Sequence, residues 1–377
     1  MTLDDQLAAL SSPLLERLRA RGFDPERLRA WAKTVGVDRD RRNRLAGKVE
    51  PPRSGDIEAL PPPGSPELEH ERFTKLGSEA LGRGEVALCV LAGGMATRMG
   101  GVVKALVDAL PGRTFLDLRL AENDRLKRVS GGKPTPLWLM TSEATNGKIR
   151  DALGGRLDGE TCATFEQFVS LRLTPEGTLF NDESGEPSVY ATGHGDLPDA
   201  LRKSGLLRSF IDRGGRYVWI ANLDNLGATV DPAILGWHIA HGGRMTVEVV
   251  DKVGSDKGGG PVRWNDQLMI AEELRMPVGF DAASVPVFST NTFLVNADAL
   301  EGLSMNWTYV EVEKKIGDRN AVQFERIVNE ITSAIEPHLL RVPREGVEAR
   351  FLPVKDTAEL ERRQPEIEAI VKARGFF

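Results

Sequence analysis

The chain has 377 residues, a length that suggests one large α/β domain with smaller additions rather than one small domain. Apolar residues make up 41% of the sequence, which is ample for a buried core. The net charge of -6 argues against a general nucleic-acid surface, and the two cysteines exclude a disulfide framework, as is usual in a reducing cytosol.

The first 80 residues are predicted to form a helical segment followed by a proline-rich strap. Apolar side chains recur at helical spacing between residues 3 and 35, and prolines punctuate the stretch from Pro51 to Pro66. The chain does not open with the basic and apolar pattern of a targeting signal, and no apolar run has the length of a membrane helix. We therefore expect a cytoplasmic protein that contacts no membrane, and we assign no function to residues 1–80.

From Glu85 onward, short apolar runs that predict strands alternate with helical patterns. The predicted strands cover residues 86–91, 137–140, 217–221, 245–250 and 287–295, and two of the helices cover residues 199–212 and 231–241. This alternation is typical of an α/β protein with a mostly parallel or mixed sheet, in which ligands bind beyond the carboxyl ends of the strands. The loops after these strands should therefore carry the functional site.

The C-terminal part is predicted to complete the domain. Five apolar residues form one helical face: Val322, Ile327, Val328, Ile331 and Ile335. A strand is predicted at residues 350–354 and a charged helix at residues 357–373. We divide the chain into an N-terminal segment (1–80), a central α/β domain that should carry the functional site (81–345), and a C-terminal strand and helix expected to complete that site (346–377).

The sharpest local motif follows the first predicted strand. It runs from Leu91 and Ala92 through Gly93-Gly94-Met95-Ala96-Thr97-Arg98-Met99-Gly100, with Lys104 shortly after. Glycines let backbone N–H groups approach an anion, and the arginine and lysine can neutralise a polyphosphate. The motif is neither the GxGxxG dinucleotide fingerprint nor the Walker pattern, which disfavours a dehydrogenase. From these residues alone, an ordinary strand-to-helix turn stays the commoner interpretation.

This loop resembles the signature of the sugar nucleotidyltransferases, roughly Gly-Gly-x-x-Thr-x-x-Gly followed by a lysine. Later segments resemble one branch of them, the UTP–glucose-1-phosphate uridylyltransferases, also called UDP-glucose pyrophosphorylases. The matching pieces occur in the family's order at residues 165–167, 193–196, 204–207, 222–231, 257–259, 272, 288–291 and 351–355. Each piece is weak alone, but together they span roughly Val86 to Leu360 and form a strong signal.

The resemblance implies a Rossmann-like nucleotidyltransferase core that transfers a uridylyl group from UTP to glucose 1-phosphate. The residues it implies for nucleotide binding are Leu91, Ala92, Gly93, Gly94, Met140, Gln167 and Gly193. Those it implies for sugar-phosphate binding are His194, Asn222, Leu223, Gly259, Glu272 and Asn291. For Met140, a place in the hydrophobic core is at least as common an outcome for this residue type.

The resemblance also implies one metal ligand and three positively charged catalytic side chains. Asp224 follows an apolar run, where a carboxylate can hold Mg²⁺, although Asp and Asn are also common turn and cap residues. Arg98, Lys104 and Lys355 would hold the reacting phosphates. Because the attacking phosphate is ionised at neutral pH, we expect no general base.

Some features depart from the family's pattern. Many members have a proline where Val103 stands, and eukaryotic members continue into a C-terminal β-helix, whereas this sequence ends at Phe377. We therefore expect no C-terminal β-helix and a monomer. Besides glucose 1-phosphate, two alternatives remain: another acceptor, such as N-acetylglucosamine or galactose 1-phosphate, or a non-catalytic nucleotide-sugar binding protein. The pocket around Asn291 and Glu272 would separate the acceptors.

Overall fold

The computed structural model describes residues 1–65, 68–96, 99–254, 256 and 258–377. The helices of this part of the chain are α1 (Leu3–Ala8), α2 (Ser12–Ala20), α3 (Pro25–Ala32), α4 (Arg39–Asn43), α5 (Glu69–Arg83), α6 (Phe115–Val129), α7 (Asn146–Leu153), α8 (Leu197–Lys203), α9 (Leu206–Asp212), α10 (Pro232–His241), α11 (Ala297–Glu301) and α12 (Thr357–Ala373). None of these helices is long and apolar enough to cross a bilayer.

The strands of the same residues form one large sheet and several small ones. They are β1 (Val49–Glu50), β2 (Ile57–Ala59), β3 (Val86–Leu91), β4 (Met95–Ala96), β5 (Val102–Val103), β6 (Asp108–Leu110), β7 (Arg113–Thr114), β8 (Leu137–Thr141), β9 (Cys162–Glu166), β10 (Val169–Leu171), β11 (Val189–Ala191), β12 (Tyr217–Asn222), β13 (Met245–Asp251), β14 (Gly260–Trp264), β15 (Gln267–Ala271), β16 (Val287–Asn296), β17 (Val310–Ile316), β18 (Arg319–Glu325) and β19 (His338–Arg341).

The large sheet has eight strands in the order β2-β19-β13-β16-β12-β3-β8-β9. Strand β16 runs antiparallel to its neighbours β12 and β13, and the other adjacent pairs are parallel. The expected α/β class with a mixed sheet is therefore confirmed. The predicted strand at residues 86–91 coincides with β3, and the other four predicted strands are one residue shorter than β8, β12, β13 and β16.

Both faces of the sheet are covered, as the unbroken apolar runs of its strands predict. In β3, Leu88 and Val90 belong to one apolar cluster, whereas Ala87 and Cys89 belong to another. This alternation arises because successive side chains of a strand point to opposite faces. On the first side, α5 and α10 pack so closely that a Cβ at Gly236 would lie 1.8 Å from the carbonyl oxygen of Phe73.

The register of the central strands brings three loops to one edge of the sheet. Leu91, the last residue of β3, pairs with Asn222 at the end of β12 and with Met140 near the end of β8. The three strands are parallel, so their carboxyl ends lie side by side. The loops that begin after residues 91, 141 and 222 therefore open from the same place, as expected for a ligand-binding edge.

The N-terminal segment packs on the parts of the chain that flank this edge. Leu18 and Leu28, from α2 and α3, join a cluster with residues of β10 and β18, and Trp31 stacks on Phe324 with ring centroids 4.7 Å apart. Strand β2, inside the proline-rich strap, pairs with β19 at the edge of the large sheet. The boundary that the sequence suggested at residue 80 falls inside α5.

Two predictions for the C-terminal third were wrong. Residues 322–335 do not form one helix, because Val322 lies in β18, which pairs antiparallel with β17, and only Val328–Ser333 form a 3₁₀-helix. Residues 350–354 form no strand, since the backbone of Arg350 and Leu352 bonds to the side chain of Asn225 instead of a neighbouring strand. The helix predicted at residues 357–373 is confirmed as α12, with Asp356 as its N-cap.

The helix predicted at residues 199–212 is divided into α8 and α9. Gly205 lies between them with a φ of +79°, a backbone angle that glycine adopts readily and that ends α8.

Candidate functional site

A cavity of about 680 Å³ opens beyond the carboxyl ends of β3, β8 and β12. Many of the residues selected from the sequence line it: Leu91, Gly93, Gly94, Lys104, Gln167, Gly193, His194, Asn222, Leu223 and Asp224. They come from the ends of β3 and β12 and from the segments after β3, β5, β9, β11 and β12, of which those after β3 and β12 are brought together by the register of the large sheet. The volume is typical of a site for a small organic ligand.

The glycine loop at one side of the cavity presents backbone N–H groups. The carbonyl oxygen of Gly93 accepts a hydrogen bond from Ser142 Oγ at 2.8 Å, and that of Ala92 accepts one from Thr145 Oγ1 at 3.2 Å. The N–H groups of Gly93 and Gly94, by contrast, donate to no other described protein atom. Because these two carbonyls are bonded and the two N–H groups have no acceptor among the described residues, the loop is suited to bind an anion.

Gly93 lies close to the side chain of Gln167. A Cβ there would lie 3.1 Å from Nε2 of Gln167, which is a tight contact. The close approach keeps the Gln167 amide at the floor of the cavity beside the glycine loop.

Lys104 and Asp224 form an ion pair across the cavity. Lys104 begins a 3₁₀ turn after β5, and its Nζ lies 2.6 Å from Oδ2 of Asp224. Their side chains are 19% and 17% exposed, so the pair is largely shielded from water but faces the cavity. The two charges that the sequence suggested for phosphate and metal binding thus neutralise each other in this structure.

His194 lines the cavity as a neutral imidazole. Its Nδ1 accepts a hydrogen bond from the backbone N–H of Val328 at 2.9 Å, and burial lowers its pKa. With Nδ1 acting as an acceptor, the ring proton resides on Nε2. His194 therefore retains one hydrogen-bond donor, the Nε2–H, for a ligand.

The glycines on both sides of His194 allow its loop to pack against residues 326–327. Gly193 has a φ of +105°, and a Cβ there would lie 2.4 Å from the carbonyl oxygen of Arg326. A Cβ at Gly195 would lie 2.6 Å from the backbone nitrogen of Ile327. Both positions therefore exclude larger residues.

A buried carboxyl group lies beneath this loop. Asp196 accepts hydrogen bonds from Thr192 Oγ1 at 2.6 Å and from the N–H of Phe168 at 3.0 Å, and Arg326 lies 3.4 Å away. Burial outweighs these contacts and raises the pKa of Asp196 to about 7. Asp196 thus holds the His194 loop to Phe168 and Arg326 without lining the cavity itself.

The predicted sugar contacts form two separate groups. Asn291, with a φ of +59°, donates from Nδ2 to Oδ1 of Asn222 at 2.8 Å, so it lies directly behind a residue of the cavity wall. Glu272 accepts from Asn329 Nδ2 at 2.6 Å, and burial raises its pKa. Gly259 belongs with this second group, since a Cβ there would lie 3.1 Å from Glu272.

Other predicted residues lie away from the cavity wall. Met140 is fully buried in the apolar core, so the structure favours the core alternative that the sequence left open. Ala92 is also buried, and its backbone N–H donates to the carbonyl oxygen of Met140 at 2.8 Å. Lys355 is exposed and is not among the residues that line the cavity. Arg98 and Lys257 lie outside the described residues.

The far wall of the cavity was missed by sequence reasoning. It consists of a residue that follows β10 and of residues from β11 and from the hairpin of β17 and β18: Arg172, Tyr190, Lys314, Gln323 and Glu325. Arg172 donates from Nε to Gln323 Oε1 at 2.9 Å, and Lys314 pairs with Glu325 at 3.4 Å. No local motif marks these residues, because they meet only when distant strands pack together.

Asp224 fits a magnesium ion that also binds a ligand's phosphates. No group of three or more His, Cys, Asp or Glu side chains suited to a metal occurs among the described residues. Asp224 supplies one carboxylate to the cavity that Gly93 and Gly94 also line. Mg²⁺ is usually bound through one or two carboxylates together with substrate phosphates and water, so one carboxylate suffices.

The sequence and the fold are similar to those of known proteins. Residues 57–364 match the sequence profile of a family described as UTP–glucose-1-phosphate uridylyltransferase. The chain is 30% identical to the UTP–glucose-1-phosphate uridylyltransferase of Encephalitozoon cuniculi over 292 residues, 73% of this chain and 57% of the relative. It is 29% identical to the Hordeum vulgare protein of the same description over 297 residues, 74% of this chain and 62% of the relative.

A solved structure shows the same fold. The UDP-glucose phosphorylase of Trypanosoma brucei superposes with a TM-score of 0.73 at 23% identity, covering 92% of this chain and 76% of that chain. The chain thus spans about three fifths of the length of the two sequence relatives and three quarters of this structure.

Proposed function

Because the chain belongs to the UTP–glucose-1-phosphate uridylyltransferase family, we propose that it transfers the uridylyl group of UTP to glucose 1-phosphate, releasing pyrophosphate. The observation that carries this proposal is the meeting of the glycine loop, the Lys104–Asp224 pair and the neutral His194 around one cavity. Free N–H groups, a cation and a metal-binding carboxylate are the groups that transfer between two phosphates requires.

In this proposal the glycine loop and Gln167 bind the nucleotide. The N–H groups of Gly93 and Gly94 donate to phosphate oxygens, and Lys104 exchanges Asp224 for the triphosphate and the leaving pyrophosphate. Asp224 would hold Mg²⁺, which when bound neutralises negative charge on the phosphates. Each contact reduces the repulsion between two anionic substrates.

The acceptor enters from the side of Asn222 and His194. Asn222, oriented by Asn291, and the Nε2–H of His194 are the polar groups that remain to bind the sugar phosphate. Glu272 and Gly259 would bind the sugar from its far side, next to a second cavity of about 630 Å³. Arg98 and Lys355 remain the further phosphate ligands that the family resemblance implies.

The reaction is an in-line displacement. An oxygen of the sugar phosphate forms a bond to the α-phosphorus of UTP while the bond from that phosphorus to the bridging oxygen breaks, and pyrophosphate leaves with the electron pair. The attacking oxygen is already ionised at neutral pH, so no protein base has to remove a proton. Alignment and charge neutralisation are therefore the enzyme's contribution. A cytoplasmic, monomeric enzyme, as expected from the sequence, is part of this proposal.

The test is pyrophosphate release by the purified protein with UTP, Mg²⁺ and a panel of sugar 1-phosphates. ATP, dTTP, CTP and GTP serve as controls for the base. Release with UTP and glucose 1-phosphate alone would support the proposal. Release with N-acetylglucosamine 1-phosphate or galactose 1-phosphate instead would identify that sugar phosphate as the acceptor. If no sugar 1-phosphate led to pyrophosphate release but calorimetry showed that UDP-glucose binds, a non-catalytic binding protein would be favoured.

A further inference from the structure

A fully buried arginine lies behind the loop that carries Asp224. Arg119, on α6, has no exposed side-chain surface, and its Nη1 donates to the equally buried Glu122 at 2.7 Å. A buried charge is costly unless it is paired and its remaining donors are satisfied. The other partners of Arg119 are therefore informative about its role.

Those partners are backbone carbonyls on both sides of Asp224. Nη2 donates to the carbonyl oxygens of Asn222 and Asn225, both at 2.7 Å. Nε and Nη1 make longer bonds of 3.4 Å to the carbonyl oxygens of Leu223 and Ala228. The guanidinium thus holds the carbonyls of the loop inward, while the side chains of Asn222 and Asp224 face the cavity.

Glu122 extends the same contact. Its Oε2 accepts from Arg119, and its Oε1 accepts from the backbone N–H of Val230 at 2.8 Å. One turn of α6 therefore holds the Asp224 loop from Asn222 to Val230.

The same helix is tied to the turn that carries Lys104. That turn, Lys104–Leu106, leads into Val107, whose carbonyl oxygen accepts from the N–H of Phe115, the first residue of α6, at 3.0 Å. Helix α6 thus bonds to the segments that carry Lys104 and Asp224.

We propose that Arg119 is a positioning residue that sets the direction of the Asp224 carboxylate, and with it the affinity of the site for a divalent cation bound together with a nucleotide. The inference rests on the metal role of Asp224 in the proposed function. Residues that orient a metal ligand typically change metal affinity or activity by about 10- to 100-fold when they are replaced.

The experiment compares Arg119→Lys with the wild-type protein in the presence of saturating UTP. Lysine keeps the charge, but its single nitrogen cannot span several carbonyls and Glu122 at once. Binding of Mn²⁺, followed by electron paramagnetic resonance, should weaken about tenfold or more. Binding of UTP in the presence of EDTA should stay within about twofold, because the glycine loop is untouched.

Two further variants separate positioning from general stability. Arg263→Lys is the matched control: Arg263 pairs with Asp56 at 2.8 Å, also shielded, but away from the cavity. It should lower the melting temperature without changing Mn²⁺ affinity. Glu122→Gln should also weaken Mn²⁺ binding, but less than Arg119→Lys does. It replaces Arg119→Lys in the test if that variant does not fold.

The inference would be overturned if Arg119→Lys, or Glu122→Gln in its place, lowered the melting temperature like Arg263→Lys and left Mn²⁺ affinity unchanged. It would also fail if the wild-type protein with UTP bound no Mn²⁺. Because the readout needs no turnover, weaker Mn²⁺ binding in a protein that released no pyrophosphate would reject the proposed function and leave the role of Arg119 standing.

Discussion

The Asp224 loop and the segment around Lys355 are bonded to each other, yet they are held very differently. Asn225 joins them, since its Nδ2 donates to the carbonyl oxygen of Arg350 at 3.1 Å and its Oδ1 accepts from the N–H of Leu352 at 2.8 Å. Three residues further on, Lys355 is exposed. Within the described residues its only hydrogen bond runs from its N–H to Oε2 of Glu359 at 2.8 Å.

The Asp224 loop, in contrast, is held from behind by the buried guanidinium groups of Arg119 and Arg350 and by that of the half-buried Arg374. Besides Arg119, Arg350 donates to the carbonyl oxygen of Thr229 at 2.8 Å, and Arg374 donates to that of Gly227 at 2.6 Å. Arg350 is in turn paired with the buried Glu248. Several guanidinium groups that are largely shielded from water thus bond to the Asp224 loop, and none of them bonds to Lys355.

The comparison suggests that the two groups act at different stages. Charge stabilisation is most effective when the group needs no reorganisation, which describes Asp224. A lysine on an exposed segment instead takes its working position when a substrate phosphate draws it in. We therefore expect the Asp224 side of the site to be formed before substrate binds and the Lys355 side to form with it.

The largest effect should come from removing the preformed charge. Asp224→Ala, or the isosteric Asp224→Asn, should lower kcat about a hundredfold or more, because about 2 to 4 kcal/mol of barrier stabilisation is lost. The melting temperature should hardly change, since the backbone contacts of the loop remain. Asp251→Asn, at an exposed aspartate that ends β13, is the control and should leave kcat unaltered.

Lys355→Ala should lower kcat about a hundredfold if the segment closes on the reacting phosphates. In addition, hydrogen exchange in residues 353–357 should slow when UTP and glucose 1-phosphate bind. Lys372→Ala, at an exposed lysine in the last turn of α12, is the matched control. Near-normal turnover in a folded Lys355→Ala protein would remove this lysine from the scheme.

Lys104→Gln should act in opposite directions on two ligands. Without Lys104, Asp224 loses a cation 2.6 Å away, so the nucleotide-free protein should bind Mn²⁺ about tenfold more tightly. Affinity for UTP should fall by a similar factor, because a phosphate contact is lost. Lys314→Gln, which alters a cavity lysine paired with Glu325, should not strengthen Mn²⁺ binding. If Lys104→Gln and Lys314→Gln changed Mn²⁺ affinity equally, the proposal that Lys104 exchanges Asp224 for phosphate would be contradicted.

The smallest effect concerns His194. Because burial lowers its pKa, the folded protein resists protonating this ring, and the neutral form should be lost only as the pH falls through that lowered value. At pH 6.5, where an ordinary histidine is about half protonated, ¹⁵N NMR should show a neutral ring with its proton on Nε2. His194→Gln identifies the signal among the five histidines. A charged ring at that pH would contradict the assignment.

Elements that are encoded by local sequence patterns were predicted best. Strand β3 and helix α12 begin and end where the sequence predicted, because apolar runs, helical periodicity and an N-cap aspartate are encoded within a few residues. The predictions at residues 322–335 and 350–354 failed because tertiary partners decided those segments. Val322 pairs across a hairpin, and the backbone around Leu352 bonds to a side chain more than a hundred residues earlier.

The candidate site divides in the same way. The glycine loop, Asp224 and the glycines around His194 could be selected because each follows a strand or breaks a pattern locally. Arg119 left a weaker signal, a charge at a helical position between the apolar residues Phe115 and Leu126. The far wall of the cavity left no signal in the sequence, because Arg172 and Gln323 are 151 residues apart and meet only through strand packing.

The sequence by itself thus determined the fold class, the family and the set of loops that end at the ligand edge, because residue type and order are enough for these. Only the tertiary structure decided that Lys104 and Asp224 neutralise each other, that Met140 is core, that Lys355 is exposed and that buried arginines brace one loop. The physical reason is that ion pairing and burial depend on distances between residues far apart in the chain, which no local pattern encodes.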